Sequence, residues 1–239
     1  GILYLAIQIQ KIVSSAGFCK GFGLMLLVCL MGGGVFQVAA AAPVCHRGIA
    51  DLRSFDFDQS GAVRLDGEWE FYWQTLVPIG SHPEKVAYTN VPGMWASQGL
   101  GGQGYASYRL RILLKDGLAG IGIKMPEFST AYALWVNGVS LSKNGTVSVD
   151  PDKGQAGYAP RLLFLNHPDD TLDLVLHVSN YHFFTGGVPQ SLMLGNYEVL
   201  SSIRESQVAY GAMLFGILLI IGVFHLGIYY FRPKEKYNL

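Results

Sequence analysis

Ala62–Trp73, AVRLDGEWEFYW, alternates from end to end. Val63, Leu65, Trp69, Phe71 and Trp73 fall on one side, and Arg64, Asp66, Glu68, Glu70 and Tyr72 on the other. A period of two held this long describes a strand with one face in a core and one in water. The same rhythm continues outward. Tyr108, Leu110, Ile112 and Leu114 are set against Arg109 and Arg111, Lys115-Asp116-Gly117 supplies a turn, and Ile121, Ile123 and Met125 alternate again. Tyr132, Leu134 and Val136 lead into Asn137-Gly138, a pair that tolerates positive φ, and Val139 and Leu141 return as the second arm of a hairpin. Arg161–Leu165, Leu172–Val178 and Ser191–Leu194 complete the set. Roughly eight turn-punctuated strands, with no amphipathic helix between them, predict an all-β antiparallel sandwich.

Beyond the strands lies Val208–Phe231, VAYGAMLFGILLIIGVFHLGIYYF, 24 residues without Asp, Glu, Lys or Arg. That is the length of a membrane-crossing helix. Arg232, Lys234 and Lys236 follow it, whereas Arg204 beside Glu205 precedes it, so the bias places residues 232–239 in the cytoplasm and 43–207 outside. Val199, Ile203 and Gln207 recur at helical spacing with no Gly or Pro before Val208. A juxtamembrane helix over 198–207 is therefore expected to run straight into the span. Gly211 and Gly222, Gly216 and Gly227, and the Ala212/Gly216 pair form small-residue stripes suited to packing on other transmembrane helices. His225 falls near a stripe and is expected to hydrogen-bond between helices. At the other end, Lys11 and Lys20 precede or flank an apolar run, Gly21–Val38, that closes on Ala39–Ala42. Residues 1–42 thus read as a helical secretory signal or signal-anchor, and either leaves the same topology. Gly at position 1 and a stop soon after the span are expected of a fragment.

From Pro43 to Gln207 there are twelve Lys or Arg against sixteen Asp or Glu, with no basic block. That balance argues against binding nucleic acid. Cys45 is the one cysteine outside the leader, so no disulfide forms within the exported domain, which at about 150 residues is large enough to stand on its core. Asp56, Asp58, Ser60 and Gly61 imitate the start of a calcium loop, but its twelfth position is Gly67. Asn144-Gly145-Thr146 has the form of a glycosylation acceptor and also of turn chemistry. No HExxH, GxSxG, Walker loop or paired-cysteine pattern occurs. Neither catalysis, a metal nor a cofactor is expected of this chain.

The segments between strands are richer. Val91-Pro92-Gly93-Met94-Trp95, Gly99–Gly104, Gly154–Arg161, Ser179-Asn180-Tyr181-His182 and Gly186-Gly187 supply aromatic, amide, imidazole and guanidinium groups. Sugars are held by such mixtures, a ring stacking on the pyranose while polar groups meet its hydroxyls. Trp95, Arg161, Asn180 and His182 are the candidate ligand contacts, with Arg109 as a brace or a further contact. The plainer alternative has Trp95 covering the core and Asn180 and Arg161 bracing loops.

LDGEWEFYW (Leu65–Trp73), VPGMW (Val91–Trp95), YASYRLRI (Tyr105–Ile112), FSTAYALWVNG (Phe128–Gly138), VSNYHFFTGG (Val178–Gly187) and FGILLIIGVFHLGIYYFRPKEK (Phe215–Lys236) stand in an order that resembles one family. It is that of the bacterial seven-transmembrane receptors with diverse intracellular signalling modules. The resemblance implies a periplasmic, galactose-binding-like jelly-roll over 43–197 that binds carbohydrate or another small ligand. It also implies that 208–231 is the first of seven membrane helices in the bacterial inner membrane, in contact with lipid and sibling helices. The output, such as a diguanylate cyclase or histidine kinase, would lie in the parent protein. The VNG hairpin is shared with the jelly-roll domain of the β-galactosidase-like hydrolases. Rival readings are therefore an anchored carbohydrate-binding accessory module of a glycoside hydrolase, or a domain that binds a protein partner.

Overall fold

A computed structural model describes residues 45–231 apart from 82, 85, 166 and 167. The expected leader and the residues expected in the cytoplasm lie outside the described residues. Among the described residues, 45–205 make one compact unit, and the helix from Ser206 onward belongs to a second.

In chain order the elements are β1 (Cys45–His46), β2 (Ile49–Asp51), α1 (Phe57–Ser60), β3 (Ala62–Arg64), β4 (Gly67–Trp73), β5 (Ala87–Val91) and β6 (Gly93–Met94). A 3-10 turn, Trp95–Gln98, precedes β7 (Gly104–Leu113), β8 (Ile121–Met125), β9 (Ala131–Val136) and β10 (Val139–Asn144). Then come β11 (Arg161–Leu165), β12 (Thr171–Asn180), β13 (Gly187–Val188), β14 (Met193–Asn196) and α2 (Tyr197–Phe231). Eight strands form the larger of two main sheets, in the order β10-β9-β12-β7-β2-β1-β4-β5, β11-β8-β14-β3 form the smaller, and β13 and β6 make a separate two-stranded pair. The strands expected from alternation are present, and the shortest ones, too brief to show a period, are those that sequence does not reveal.

The two sheets make a β-sandwich over one core. Trp69, Tyr108, Leu110, Ile112, Leu134, Leu174 and Leu176 from the larger sheet meet Val63, Ile123, Met125 and Leu194 from the smaller. Most of these side chains are fully enclosed, which is where an interior packed like an organic crystal draws its stability.

Two features depart from the expectation. The stretch Ala62–Trp73 is two strands in different sheets, β3 beside β14 and β4 beside β5 and β7. The chain crosses between layers at Leu65-Asp66-Gly67, where Gly67 takes a φ of 123°. Nor is every pairing antiparallel: Cys45 lies parallel to Gly67, and Ile49–Asp51 parallel to Arg111–Leu113. The β1–β2 hairpin covers the part of β7 that β4 leaves open, since β4 pairs only with Ala106–Arg109.

Local chemistry matches its positions. Asn137 and Gly138, at φ 48° and 82°, make the β9–β10 turn. Asp56 caps α1, its Oδ1 accepting from the amides of Asp58 and Gln59 at 3.0 and 3.1 Å, so this carboxylate serves a helix end. Asn144 is buried and takes the amide of Ala159 at 3.1 Å. It braces a loop from inside.

The last helix is rooted in the sandwich. The Tyr197 amide donates to the Gly120 carbonyl at 2.8 Å, the Tyr197 ring stands edge-on to Phe164 at 5.0 Å, and Leu200 is fully buried. The most apolar 18 residues within its stretch Tyr197–Gly227 have a mean hydropathy of 2.1, and the helix is long and apolar enough to cross a membrane. Among the described residues nothing approaches the positions where Gly211, Gly216, Gly222 and Gly227 would carry a Cβ.

Candidate functional site

Asn180 at the end of β12 pairs with Gly104 at the start of β7, so the loops beyond them meet. Asn180 is buried and ties them together. Its amide donates to the carbonyls of Gly102 and Phe183 at 2.7 and 2.9 Å, and its oxygen accepts from the Phe183 amide at 2.9 Å. The Tyr181 hydroxyl donates to the Ser148 carbonyl at 3.0 Å. The His182 Nε2–H donates to the Gly154 carbonyl, also at 3.0 Å, which fixes the proton on that nitrogen.

Trp95 sits below this cluster with none of its surface exposed. Its indole N–H donates to the Tyr108 hydroxyl at 2.7 Å, and its ring stands edge-on to Trp73 at 4.9 Å. Burial pushes the Tyr108 phenol above its ordinary range. Trp95 therefore presents no ring face on which a sugar could stack.

The structure brings Trp95, Asn180 and His182 into one loop cluster, with Arg161 on a strand of the smaller sheet and Arg109 on the outer face of the larger. Arg161 opens β11 on the smaller sheet, exposed and opposite Met125. Arg109 lies on the outer face of the larger sheet, 5% exposed, in a two-point pair with Asp173. The segment 74–81 straps that face. Ser107 Oγ accepts from the Val77 amide and donates to the Thr75 carbonyl, at 2.9 and 2.8 Å. His177 donates to the Val77 carbonyl at 3.0 Å and lies 4.6 Å from the Trp135 ring. Burial pushes the His177 imidazole below its ordinary value, and its bond to Val77 only partly opposes that.

A different place is concave and open. Between β5, the edge strand of the larger sheet, and the 3-10 turn lies a cleft of about 490 Å³. Phe71 and Leu100 line it, together with Tyr88, Asn90, Pro92, Ser97 and Gln98. The chain reverses here through the cis Val91–Pro92 bond and Gly93. A Cβ on Gly93 would come within 2.5 Å of the Asn90 carbonyl and 2.9 Å of the Gln98 amide nitrogen, so glycine is what lets the two walls approach. No residue lining the cleft is Asp, Glu, Lys, Arg or His. None of the five sequence candidates lines it, although Trp95 begins the turn that carries Ser97 and Gln98. The available signal lies in Ala87–Val91: Tyr88 and Asn90 are exposed while Thr89 and Val91 are buried, a short alternation whose buried side holds no large apolar residue.

Among the described residues no group of three or more His, Cys, Asp or Glu is placed to hold a metal ion.

No family model and no curated protein matches the chain. Solved structures do. The β-glucuronidase of Faecalibacterium prausnitzii is 14% identical over 56% of this chain and 31% of its own, with a TM-score of 0.44. That of Ruminococcus gnavus is 14% identical over 56% of this chain and 28% of its own, at 0.41. Bacteroides uniformis β-glucuronidase 2, covalently bound to cyclophellitol-6-carboxylate aziridine, is 15% identical over 56% and 17%, at 0.44. The chain spans less than a third of each of these proteins. Likenesses of this extent carry no argument about its fold or activity.

Proposed function

We propose that the chain is the ligand-sensing part of a bacterial membrane receptor. Its sandwich is a jelly-roll ectodomain on the periplasmic side, and α2 continues into the first membrane helix of a seven-transmembrane receptor with an intracellular signalling module. One observation carries this reading: the helix that is apolar enough to cross a membrane starts inside the sandwich, where Leu200 and Tyr197 are held by core and backbone contacts. A passive anchor needs no such root. A ligand moves a receptor between states only by binding them unequally, and a helix packed on the domain at Leu200 gives such a difference a way to be felt.

The test joins topology to binding. Alkaline phosphatase fused after Leu239 should be inactive in bacteria and green fluorescent protein there should fluoresce, while the detergent-solubilised chain should show a saturable rise in melting temperature with at least one small molecule of a glycan and metabolite panel. Active phosphatase at Leu239 would overturn the orientation. A flat melting temperature across the panel would overturn the sensing role.

A further inference from the structure

Polar side chains in the loop cluster are already occupied, because Asn180 spends both amide hydrogens and its oxygen on backbone, and Trp95 and His182 each spend an N–H. The cleft beside β5 is the reverse case. Among the described residues the side-chain amides of Asn90 and Gln98 have no hydrogen-bond partner. Ser97 Oγ donates to the Met94 carbonyl at 2.7 Å and keeps its acceptor capacity. Tyr88 and Pro92 add flat apolar surface, and Phe71 and Leu100 are apolar as well. Volumes of roughly 300–1,000 Å³ suit small molecules.

We propose that this cleft is the ligand site of the sensor and that its ligand is an uncharged saccharide, taken by stacking on Tyr88 and Pro92, by hydrogen bonds with the amides of Asn90 and Gln98, and by a hydroxyl donated to Ser97 Oγ. This rests on the sensing role proposed above. The class follows from the lining. A phosphate or carboxylate ligand calls for a guanidinium or ammonium group in the wall, and an amine or amino acid for a carboxylate; the lining holds neither. Fatty or sterol-like ligands would leave the two amides dry and unpaired. A sugar ring has both an apolar face and a rim of hydroxyls that donate and accept, which neutral amides and a serine hydroxyl match. Arg47, outside the lining, lies over the Tyr88 ring at 5.4 Å and steadies it.

The experiment uses the full chain in detergent, with tryptophan fluorescence as the readout, since Trp95 adjoins Ser97 and Gln98. The probes are neutral mono- and oligosaccharides, the matching uronates and hexose phosphates, and free amino acids. A neutral saccharide should bind saturably, and Asn90→Ala, Gln98→Ala and Tyr88→Ala should each weaken it about tenfold or more. His182→Ala should leave affinity unchanged. Because Asn90 and Gln98 are exposed, these variants should keep the melting temperature of the parent chain, and Gln98→Glu gives a further surface change that should abolish binding. Binding that tracks His182 and ignores the cleft variants would overturn the site while leaving the sensing role intact. Binding of uronates, phosphates or amino acids alone would overturn the ligand class. Absence of binding by every probe would overturn both, and the fusion at Leu239 would still report separately on the membrane placement.

Discussion

Arg109 and Asp173 are joined at two points, Nε to Oδ1 at 2.7 Å and Nη2 to Oδ2 at 2.8 Å, although neither is the other's direct partner across the sheet. Val175 stands opposite Arg109, and Arg111 opposite Asp173, so the pair runs diagonally. Glu70 lies opposite Arg109 on the other side, and the Tyr72 hydroxyl donates to it at 2.9 Å. The guanidinium is thus held in a network that spans three strands under the 74–81 strap. Such geometry is structural, since a buried fork already matched to one carboxylate has little left for a ligand.

Breaking that pair should cost more than a surface ion pair does. Removing one partner of a fully buried pair costs roughly 3–5 kcal/mol. Asp173 keeps 27% of its side chain in water and Glu70 remains nearby, so we expect about 2 kcal/mol for Asp173→Asn and for Arg109→Ala. Chemical denaturation of the solubilised chain measures it. A loss below about 0.5 kcal/mol would show the pair to be ornamental.

His177 makes stability depend on pH in a set direction. Its ordinary value is 6.5, and burial lowers it in the folded chain. The Nε2–H that donates to Val77 is present in the neutral and the charged ring alike, and burial, which favours the neutral ring, outweighs it. Above pH 6.5 both states are neutral and the contact is intact. As pH falls below 6.5 the unfolded chain binds a proton first, so stability drops until the folded value is passed and then levels off. His177→Gln should flatten this slope, read as melting temperature against pH from 7.5 down to 5. An unchanged slope would place the titration elsewhere.

Cys45 should be inert while the chain is folded. Burial, and then the Asp66 charge, push its thiol from 9.0 up to about 12. Iodoacetamide at pH 8 should leave Cys45 unmodified in the native chain and alkylate it after denaturation, with peptide mapping separating it from Cys19 and Cys29. At higher pH the unfolded chain ionises first, so stability should fall as pH rises from 9 toward 12. Native labelling at the denatured rate would contradict the burial.

How much of this was legible in the sequence depends on whether a residue's role is set by its neighbours in the chain. Val63, Leu65, Trp69 and Phe71 are buried as their alternation requires. The change of sheet at Gly67 was not legible, because the chain crosses from one layer to the other without breaking the period. Trp95 was misleading for a related reason. Its environment is set by Tyr108 and Gly186, distant in sequence, and an indole in a glycine-rich loop reads the same whether it faces water or a core. Tyr88 and Asn90 give little signal, since β5 buries only Thr89 and Val91. A cleft, moreover, is made by the approach of two segments, which composition does not record.

Asn180 separates a brace from a ligand contact. Three backbone groups depend on it: the carbonyls of Gly102 and Phe183 and the amide of Phe183. Asn180→Ala leaves all three to find water or go unpaired in a place where the side chain is only 3% exposed. One buried group left unsatisfied costs roughly 1–3 kcal/mol. Part of the loss is recovered by water entering the exposed loop, so about 2 kcal/mol is expected, with faster hydrogen exchange at the Phe183 amide. His182→Ala removes a single bond from an exposed ring and should cost well under about 1 kcal/mol. If Asn180→Ala instead kept full stability and Phe183 protection while abolishing ligand binding, Asn180 would be a ligand contact, and the loop end would displace the cleft as the site.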